Sequence, residues 1–280
     1  MGRRDFFERM ATVTTSNNKV VLITGGAMGQ GRTHAVAFAK IGYNVVLLDM
    51  LDPEDARFAE TVRLAEEAGG KALAIKADIC STPQMEAAFA QAWEAYGRLD
   101  VVVANAGIIA FDYTWDLSDE VVEKCLAVNL EGTWRTDKYA AQYMRKQGYG
   151  RIINISSVGG LKGVAKLAAY SMTKHGIMGL TKTLALELQT EGLPIYCNAV
   201  CPTKVRTPMC ETQEYVDFVN TTMGKNFSSW QEMFEDEKKP GGMKFLDPED
   251  ITEMVVWLAE SHEATKFNGR EVVIDRGALL

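Results

Sequence analysis

Short apolar runs alternate with longer segments of helical periodicity from Lys19 to the end of the chain. Seven runs are strand-sized and apolar on both faces: KVVLIT, NVVLLD, KALAIKAD, LDVVVANAG, GRIINISS, PIYCNAVCP and REVVID. Strands of this kind, separated by helices, are typical of a parallel sheet that is buried on both sides. We therefore expect an α/β fold in which a doubly wound, parallel seven-stranded sheet carries helices on both faces.

The alternation of strands and helices is interrupted by one long insertion, and it does not extend to residues 1–18. After CPTKVRTPM, a long stretch precedes DPEDITEMVVWLAE, where Asp247 is a suitable helix N-cap and Pro248 suits the first helical position. Long insertions in compact domains are usually functional or mobile. We expect an N-terminal extension over residues 1–18, one domain over 19–280 and an insertion over about 209–245. Phe6, Phe7 and Met10 have helical spacing, and packing and disorder are equally acceptable for them.

Composition and charge narrow the classes of partner. The 280 residues are 47% hydrophobic and carry a net charge of −7, which argues against a nucleic-acid partner. The apolar runs are too short to span a bilayer, and the N-terminus lacks the apolar segment of a signal peptide. The chain has five cysteines: Cys80, Cys125, Cys197, Cys201 and Cys210. They form no C-x-x-C pair, so we expect a cytoplasmic protein without disulfides.

A glycine-rich turn follows the first predicted strand. Gly25, Gly29 and Gly31 have the spacing T-G-x-x-x-G-x-G and lead into a helix. Glycines let the backbone approach a pyrophosphate, and a helix N-terminus offers it free N–H groups. A tight strand-to-helix connection is the simpler alternative. The position favours nucleotide binding, because open parallel sheets bind ligands at the carboxyl ends of their strands.

Acidic residues end the next two strands. Asp49 lies about 20 residues beyond the turn, where a carboxylate accepts hydrogen bonds from the adenosine ribose and would repel a 2′-phosphate. Met28 and Met50 stand where an NADP site usually has a basic residue, so we expect NAD. Asp78 ends the third strand and has two interpretations: a hydrogen-bond acceptor for adenine or a simple cap of the following helix.

Tyr170 and Lys174 are four positions apart on one predicted helix and therefore lie side by side. An ammonium beside a phenol favours the phenolate, although lowering the Tyr pKa to near 7 needs roughly 4 kcal/mol, more than one cation supplies. Such a pair also arises by chance. Hydride transfer to or from a carbinol carbon needs both an acid or base at the oxygen and a donor that stabilises the alkoxide.

Three further features occur with this pair: Ser157 stands 13 positions before Tyr170 (170 − 157), N-A-G spans 105–107, and V-N-L contains Asn129. With the glycine turn, they resemble the short-chain dehydrogenase/reductase family over nearly the whole chain. The resemblance implies a Rossmann-type single domain. It also implies that Ser157 holds the substrate oxygen, Tyr170 transfers the proton, Lys174 lowers the Tyr pKa and binds the nicotinamide ribose, and Asn129 positions a relay water.

The resemblance extends to the cofactor-binding residues. They are expected to be Gly25, Met28, Gly29, Gly31, Asp49, Asp78, Ile79, Asn105, Ala106, Gly107, Tyr170, Lys174, Pro202, Thr203, Val205 and Thr207. Thr203 replaces the glycine that often follows Pro202, which is similar to a subgroup with carveol dehydrogenases and carrier-linked reductases. The insertion that helps the carrier-linked members to hold NAD is missing after Asp49, so an exchangeable NAD is expected. Three scattered histidines give no zinc spacing.

The insertion suggests the kind of substrate. It is rich in Met and aromatic residues, which suits a lid over an apolar ketone or alcohol, although an amphipathic core helix explains them equally well. By resemblance we expect a hydroxysteroid dehydrogenase, with the 20β type as one form; a terpenoid alcohol dehydrogenase, a 3-oxoacyl reductase and a catalytically silent NAD-sensing module are the alternatives. Family members form homodimers or homotetramers, and the apolar C-terminus fits such an assembly.

Overall fold

The computed structural model describes residues 18–279. The predictions for Phe6, Phe7 and Met10 therefore lie outside the described residues. Within them the seven expected strands form one parallel sheet. Their bounds are β1 (Val20–Thr24), β2 (Asn44–Asp49), β3 (Ala72–Lys76), β4 (Val101–Ala104), β5 (Gly150–Ile155), β6 (Ile195–Pro202) and β7 (Glu271–Ile274).

The sheet has the strand order β3-β2-β1-β4-β5-β6-β7. β1 pairs with β2 on one side and with β4 on the other, so the chain crosses over in opposite directions from this central pair. A crevice opens at such a switch point, outside the carboxyl ends of the strands. The glycine turn after β1 and N-A-G after β4 both lie at this edge, as the sequence predicted.

Helices cover both faces of the sheet. Their bounds are α1 (Gly29–Lys40), α2 (Ala56–Glu67), α3 (Thr82–Tyr96), α4 (Asp119–Cys125), α5 (Gly132–Gln147), α6 (Ala168–Thr190), α7 (Gln213–Met223), α8 (Trp230–Glu235) and α9 (Pro248–Glu260). Helices α1, α2 and α9 pack on one face around the fully buried Phe38 and Phe58. Helices α3, α5 and α6 pack on the other around Phe89 and Met144. Burying each such side chain contributes roughly 1.5–3 kcal/mol.

Helix α9 begins where the sequence predicted, whereas the segment between α4 and α5 differs from the prediction. At the start of α9, Asp247 and Asp250 form a reciprocal capping box, and Pro248 occupies the first turn. Between α4 and α5 the chain makes a π-helical segment, Leu126–Glu131, that includes Asn129. The sequence predicted one long helix here. Such segments are frequent at functional sites because they redirect side chains and free backbone carbonyls.

The insertion, residues 209–245, packs in a small apolar cluster that also includes Leu167 and contacts Phe111 and Tyr170. Helices α7 and α8 pack around Phe227, Met233 and Phe245, which are 8%, 0% and 1% exposed. The sequence suggested a lid whose aromatic side chains close over a substrate, or a core helix. These three residues are buried against one another in this state, and the lid stays a prediction.

No helix among residues 18–279 is long and apolar enough to cross a membrane.

Candidate active site

The glycine turn has a backbone that only glycine fits. Gly25 and Gly29 have φ values of 66° and 58°, in the left-handed region. A Cβ on Gly31 would lie 2.1 Å from the Gly25 carbonyl oxygen. Met28 is the extended N-cap of α1 and provides no side-chain cap, so the first N–H groups of the helix point outward without one. This arrangement fits a pyrophosphate group.

Asp49 reaches back from the end of β2 toward this turn. Its carboxylate oxygens accept hydrogen bonds from the backbone N–H groups of Ala27 (3.0 Å) and Leu51 (3.2 Å). These bonds fix the carboxylate at the rim of the crevice, where a ribose can also reach it. Sequence reasoning missed a neighbouring arginine, Arg57. The charge of Asp49 helps to raise the pKa of Arg57, but the Arg57 guanidinium pairs with Asp55.

A second arginine, Arg32, supports the same corner. Its guanidinium donates hydrogen bonds to Thr61 Oγ1 (2.8 Å) and to the carbonyl oxygens of Ala27 (3.1 Å) and Arg57 (2.7 Å). Because these acceptors occupy it, Arg32 holds the turn instead of offering a free cation to a phosphate.

N-A-G ties β4 to the glycine turn. The Asn105 side-chain amide donates to the carbonyl oxygens of Thr24 (3.0 Å) and Gly25 (3.3 Å). Ala106 packs closely against the turn: a Cβ added to Gly25 would lie 3.3 Å from the Ala106 Cβ. Gly107 leaves space beside the reaction centre, because a Cβ there would lie 3.2 Å from Asn129 Oδ1 and 3.8 Å from Lys174 Nζ.

Asp78 and Ile79 line the crevice beyond β3. Asp78 Oδ1 accepts a hydrogen bond from the Cys80 N–H (2.8 Å), as in a capping turn, and the carboxylate lies at the end of β3 on the crevice side. Ile79 packs against Gly132, at the start of α5. Both interpretations of Asp78 therefore stay open.

The segment after β6 forms the opposite wall. The Pro202 carbonyl accepts a hydrogen bond from Ser157 Oγ (3.4 Å), and the Thr203 N–H bonds to the Ile274 carbonyl (3.1 Å). Val205 is buried and bridges to Leu246. Thr207 faces the glycine turn: a Cβ on Gly29 would be 3.8 Å from its Cβ. The structure thus brings together the residues that the sequence placed far apart.

Ser157, Tyr170 and Lys174 meet at the carboxyl end of β5. Ser157 and Tyr170 flank the same point: a Cβ on Gly159 would lie 3.4 Å from a Tyr170 ring carbon and 3.5 Å from Ser157 Oγ, which also accepts from the Gly159 N–H (3.0 Å). Lys174 lies beneath the tyrosine, with Nζ 5.4 Å from its ring centroid and 2.8 Å from the Ile155 carbonyl oxygen. The three polar groups therefore converge on one point of the crevice.

The electrostatics of this group differ from the sequence prediction. Burial raises the pKa of Tyr170 to about 12, and the hydrogen bond with Ser157 opposes that rise. Burial also lowers the pKa of Lys174 to about 8. Removal from water disfavours both charged forms, so the expected lowering of the Tyr pKa by Lys174 does not dominate in this state. The Tyr170 phenol is therefore protonated at neutral pH.

Asn129 is buried beside this group. Its side-chain Nδ2 donates to the Ile108 carbonyl (2.9 Å) and to Thr173 Oγ1 (3.2 Å), while its Oδ1 accepts from the Ile108 N–H (2.8 Å). The side chain is thus used to hold the loop after β4 against α6. Its expected part in a water relay stays a prediction.

Sequence reasoning missed the side chains that the insertion and its approach bring to Tyr170. Tyr215, on α7, is 5% exposed and belongs to the apolar cluster against which Tyr170 packs. Tyr215 also packs edge-on against Phe111, from the loop after β4, at 5.7 Å. No spacing in the sequence relates these residues, because only packing of the insertion joins them. Across residues 18–279, no three or more His, Cys, Asp or Glu side chains are arranged to hold a metal ion.

A family model described as short chain dehydrogenase matches residues 19–215. The chain belongs to the short-chain dehydrogenase/reductase family, and it is an NAD-dependent oxidoreductase.

Two curated relatives and one solved structure cover almost the whole chain. An uncharacterised NAD-dependent oxidoreductase of Mycobacterium tuberculosis is 35% identical over 94% of this chain and 96% of its own length. A 3beta-hydroxysteroid dehydrogenase of Mediterraneibacter gnavus is 34% identical over 93% and 95%. The crystal structure of carveol dehydrogenase from Mycobacterium avium in complex with NAD has a TM-score of 0.84 and 28% identity, with 94% of this chain and 98% of that one covered.

Proposed function

We propose that this short-chain dehydrogenase/reductase interconverts a secondary alcohol and a ketone on a bulky, largely apolar substrate. The observation that carries the proposal is the convergence of the Ser157 and Tyr170 side chains, which flank the same point beside Gly159, with the buried Lys174 beneath the phenol, at the edge of the sheet that also holds the glycine turn. Bound NAD supplies the hydride acceptor or, in its reduced form, the donor. The chain's own residues must then bind the substrate oxygen and move its proton.

In this proposal Tyr170 donates its phenolic proton to the oxygen of a ketone, or accepts the proton of an alcohol in the reverse direction. Ser157 donates a hydrogen bond to the same oxygen and stabilises the developing alkoxide. Lys174 supplies positive charge beneath the phenol and a donor toward the nicotinamide ribose. Asn129 anchors the loop after β4, and through the π-helical segment it holds the path of a relay water.

The expected cofactor set divides along the crevice. Gly25, Met28, Gly29 and Gly31 would hold the pyrophosphate, and Asp49 would accept from the adenosine ribose. The remaining members would line the adenine and nicotinamide ends: Asp78, Ile79, Asn105, Ala106, Gly107, Tyr170, Lys174, Pro202, Thr203, Val205 and Thr207. The support is the cradle of left-handed glycines and the absence of any room for a Cβ at Gly31.

Two substrate classes have support. The steroid relative favours a hydroxysteroid, although its name specifies the 3β position and our sequence-based expectation was the 20β type. The carveol dehydrogenase structure favours a cyclic terpenoid alcohol. A 3-oxoacyl substrate has no such support among these relatives. The apolar cluster around Phe111, Tyr215 and Phe218 next to Tyr170 suits either ring system.

The test is NADH-linked turnover across steroid 3-, 17- and 20-ketones, monoterpenoid ketones, diketones and short 3-oxoacyl thioesters. We expect turnover of one cyclic class and a loss of it in Tyr170→Phe. Turnover confined to short acyl substrates, or none with any ketone or alcohol despite NADH binding, would contradict the proposal. The second result would favour the NAD-sensing alternative.

We also propose that the enzyme assembles as a homodimer or homotetramer through α5 and α6. Trp134 on α5 and Leu186 on α6 are 47% and 62% exposed, and each belongs to a helix that lines one shallow groove. Light scattering of the purified chain tests this. A monomeric mass at micromolar concentration would contradict it.

A further inference from the structure

Lys204 is a partly buried cation without a partner. It follows β6 in the segment that forms one wall of the crevice, and its ammonium makes no hydrogen bond or ion pair with any residue in the range 18–279. Other lysines show the usual arrangement: Lys76 pairs with Asp52 at 2.7 Å and Lys225 with Asp236 at 3.2 Å. A cation held partly out of water usually has a carboxylate or a carbonyl beside it.

Its surroundings make an unpaired charge more costly still. Burial lowers the pKa of Lys204, and the nearby ammonium of Lys162 lowers it further. Among residues 18–279, Lys162 Nζ donates to the Ala278 carbonyl oxygen at 2.7 Å and has no carboxylate partner. The two ammonium groups therefore disfavour each other's charge, and no carboxylate in the described part of the chain acts on Lys204.

This space adjoins the reaction centre. Lys162 lies in the loop that leaves Ser157, beyond the short helical turn Val158–Gly160. On the other side, Lys204 stands between Pro202, whose carbonyl oxygen accepts from Ser157 Oγ at 3.4 Å, and Val205, whose carbonyl oxygen accepts from Cys210 Sγ at 3.2 Å. Lys204 is thus in the segment that joins the loop after β5 to the start of the insertion, and these two regions border the pocket where the substrate oxygen must meet Tyr170.

We propose that the substrate carries a carboxylate, and that Lys204, assisted by Lys162, binds this group and thereby orients the ketone or alcohol at the other end of the molecule. The inference rests on the proposed function and specifies its substrate class as an amphipathic cyclic keto or hydroxy acid. The apolar cluster of the insertion contacts the body of the molecule, and the two lysines bind its charged end.

The cofactor does not provide this anion. Its pyrophosphate belongs to the glycine turn, and the adenosine ribose belongs to Asp49, at the end of β2. Lys204 interacts with neither region; the groups that act on it are Lys162 and Cys210. The KM for NADH is therefore expected to stay unchanged when Lys204 loses its charge.

The experiment compares 4-oxocyclohexane carboxylate, acetate and propanoate with their methyl esters. We expect kcat/KM to favour at least one acid over its ester by about tenfold, as one charge-assisted hydrogen bond gives. Lys204→Met, which keeps the length of the side chain, should remove this preference, and Lys204→Arg should keep most of it. Lys182→Met, at an exposed lysine paired with Glu271, is the matched control and should change nothing. Added salt should reduce the preference.

Binding separates this inference from the proposed function. Calorimetry with cyclohexanecarboxylate in the presence of NAD measures anion binding without turnover, and Lys204→Met should weaken it about tenfold. Equal turnover of acids and esters by the wild type, or equal loss for both in Lys204→Met, would overturn the carboxylate assignment while leaving ketone reduction intact. Anion binding without any ketone turnover would instead sink the proposed function and uphold this site.

Discussion

Residues are positioned differently in two regions: the reaction edge, which is the carboxyl ends of the strands with the glycine turn and Tyr170, and the insertion. At the edge, backbone geometry decides: a Cβ on Gly31 would lie 2.1 Å from a carbonyl oxygen. In the insertion, side chains pack on side chains: Phe234 meets Phe245 at 4.9 Å, and Phe218 meets Phe111 at 4.8 Å. The first arrangement allows one residue type at a position, and the second allows any side chain of similar volume.

This difference determines how much of the function can be inferred from the sequence of each region. A position restricted by the backbone leaves a fixed spacing in the sequence, so the cofactor and the chemistry can be inferred from it. A packed cluster leaves only a composition rich in Phe, Trp and Met. The substrate therefore has to be sought by experiments that separate the two regions.

The largest effect is expected at the reaction edge. Tyr170→Phe removes the proton donor and should lower kcat by about 10² to 10⁴, while the dissociation constant of NADH, measured by fluorescence titration, stays nearly unchanged. Tyr113→Phe is the matched control, because Tyr113 is 37% exposed at the rim and should keep full activity. More than about a tenth of wild-type kcat in Tyr170→Phe would exclude the proton-transfer role.

A second effect concerns the adenosine end of the crevice. Asp49→Ala combined with Met50→Arg replaces the acceptor for the ribose with a cation at a position that is 71% exposed. We expect the ratio of kcat/KM for NADPH over NADH to rise by about 10- to 100-fold, as the loss and gain of a charged hydrogen bond imply. Met50→Arg alone should shift the ratio less, since Asp49 still repels a phosphate. Equal use of both cofactors by the wild type would refute the role of Asp49.

The sequence predicted the sheet, its strands and the convergence of Ser157, Tyr170 and Lys174 because each depends on local periodicity or a fixed spacing. Strand bounds were within a few residues; β4, for example, is shorter than the apolar run that predicted it. The π-helical turn at Asn129 could not be predicted, because its sequence has ordinary helical propensity and tertiary packing selects the extra residue.

The pKa values of the buried groups could not be predicted from the sequence either. Spacing shows that a lysine lies beside Tyr170, but the size of the desolvation penalty depends on every element packed above the pair. The same holds for Lys204 and Tyr215, whose surroundings come from segments far apart in the chain. For the insertion, composition allowed both a lid and a core, and the burial of Phe227 and Phe245 could not be predicted from it, because that burial depends on how the insertion packs.

A third effect is a difference in pH dependence between the two directions. The pKa of Tyr170 is raised to about 12, so its ionised fraction should rise tenfold per pH unit below that value. Alcohol oxidation needs this phenolate, and its kcat/KM should increase from about pH 6 to 8. Above the Lys174 pKa of about 8, loss of the ammonium should reduce the slope. Ketone reduction uses the protonated phenol and should stay flat; an equal slope in both directions would contradict the assignment.

The smallest effect distinguishes the two sides of the insertion. Phe111 packs against Tyr215 and Phe218 next to Tyr170, whereas Trp230 packs edge-on against Phe234 at 5.7 Å, in the part of the insertion that also contains Phe245. Loss of one large side chain from a binding contact removes roughly 1.5–3 kcal/mol. Phe111→Ala should therefore raise KM for a steroid or terpenoid ketone by about tenfold, and much less for a small ketone.

Trp230→Ala is the paired variant, since it removes a similar apolar area from the far side of the same cluster. We expect it to lower Tm without changing the preference between bulky and small ketones, both measured by NADH oxidation. If both variants changed selectivity equally, the whole insertion would act as a lid over the substrate, as the sequence suggested. If neither did and only Tm fell, the insertion would be a structural core, and the argument for a bulky apolar substrate would lose its support from this region.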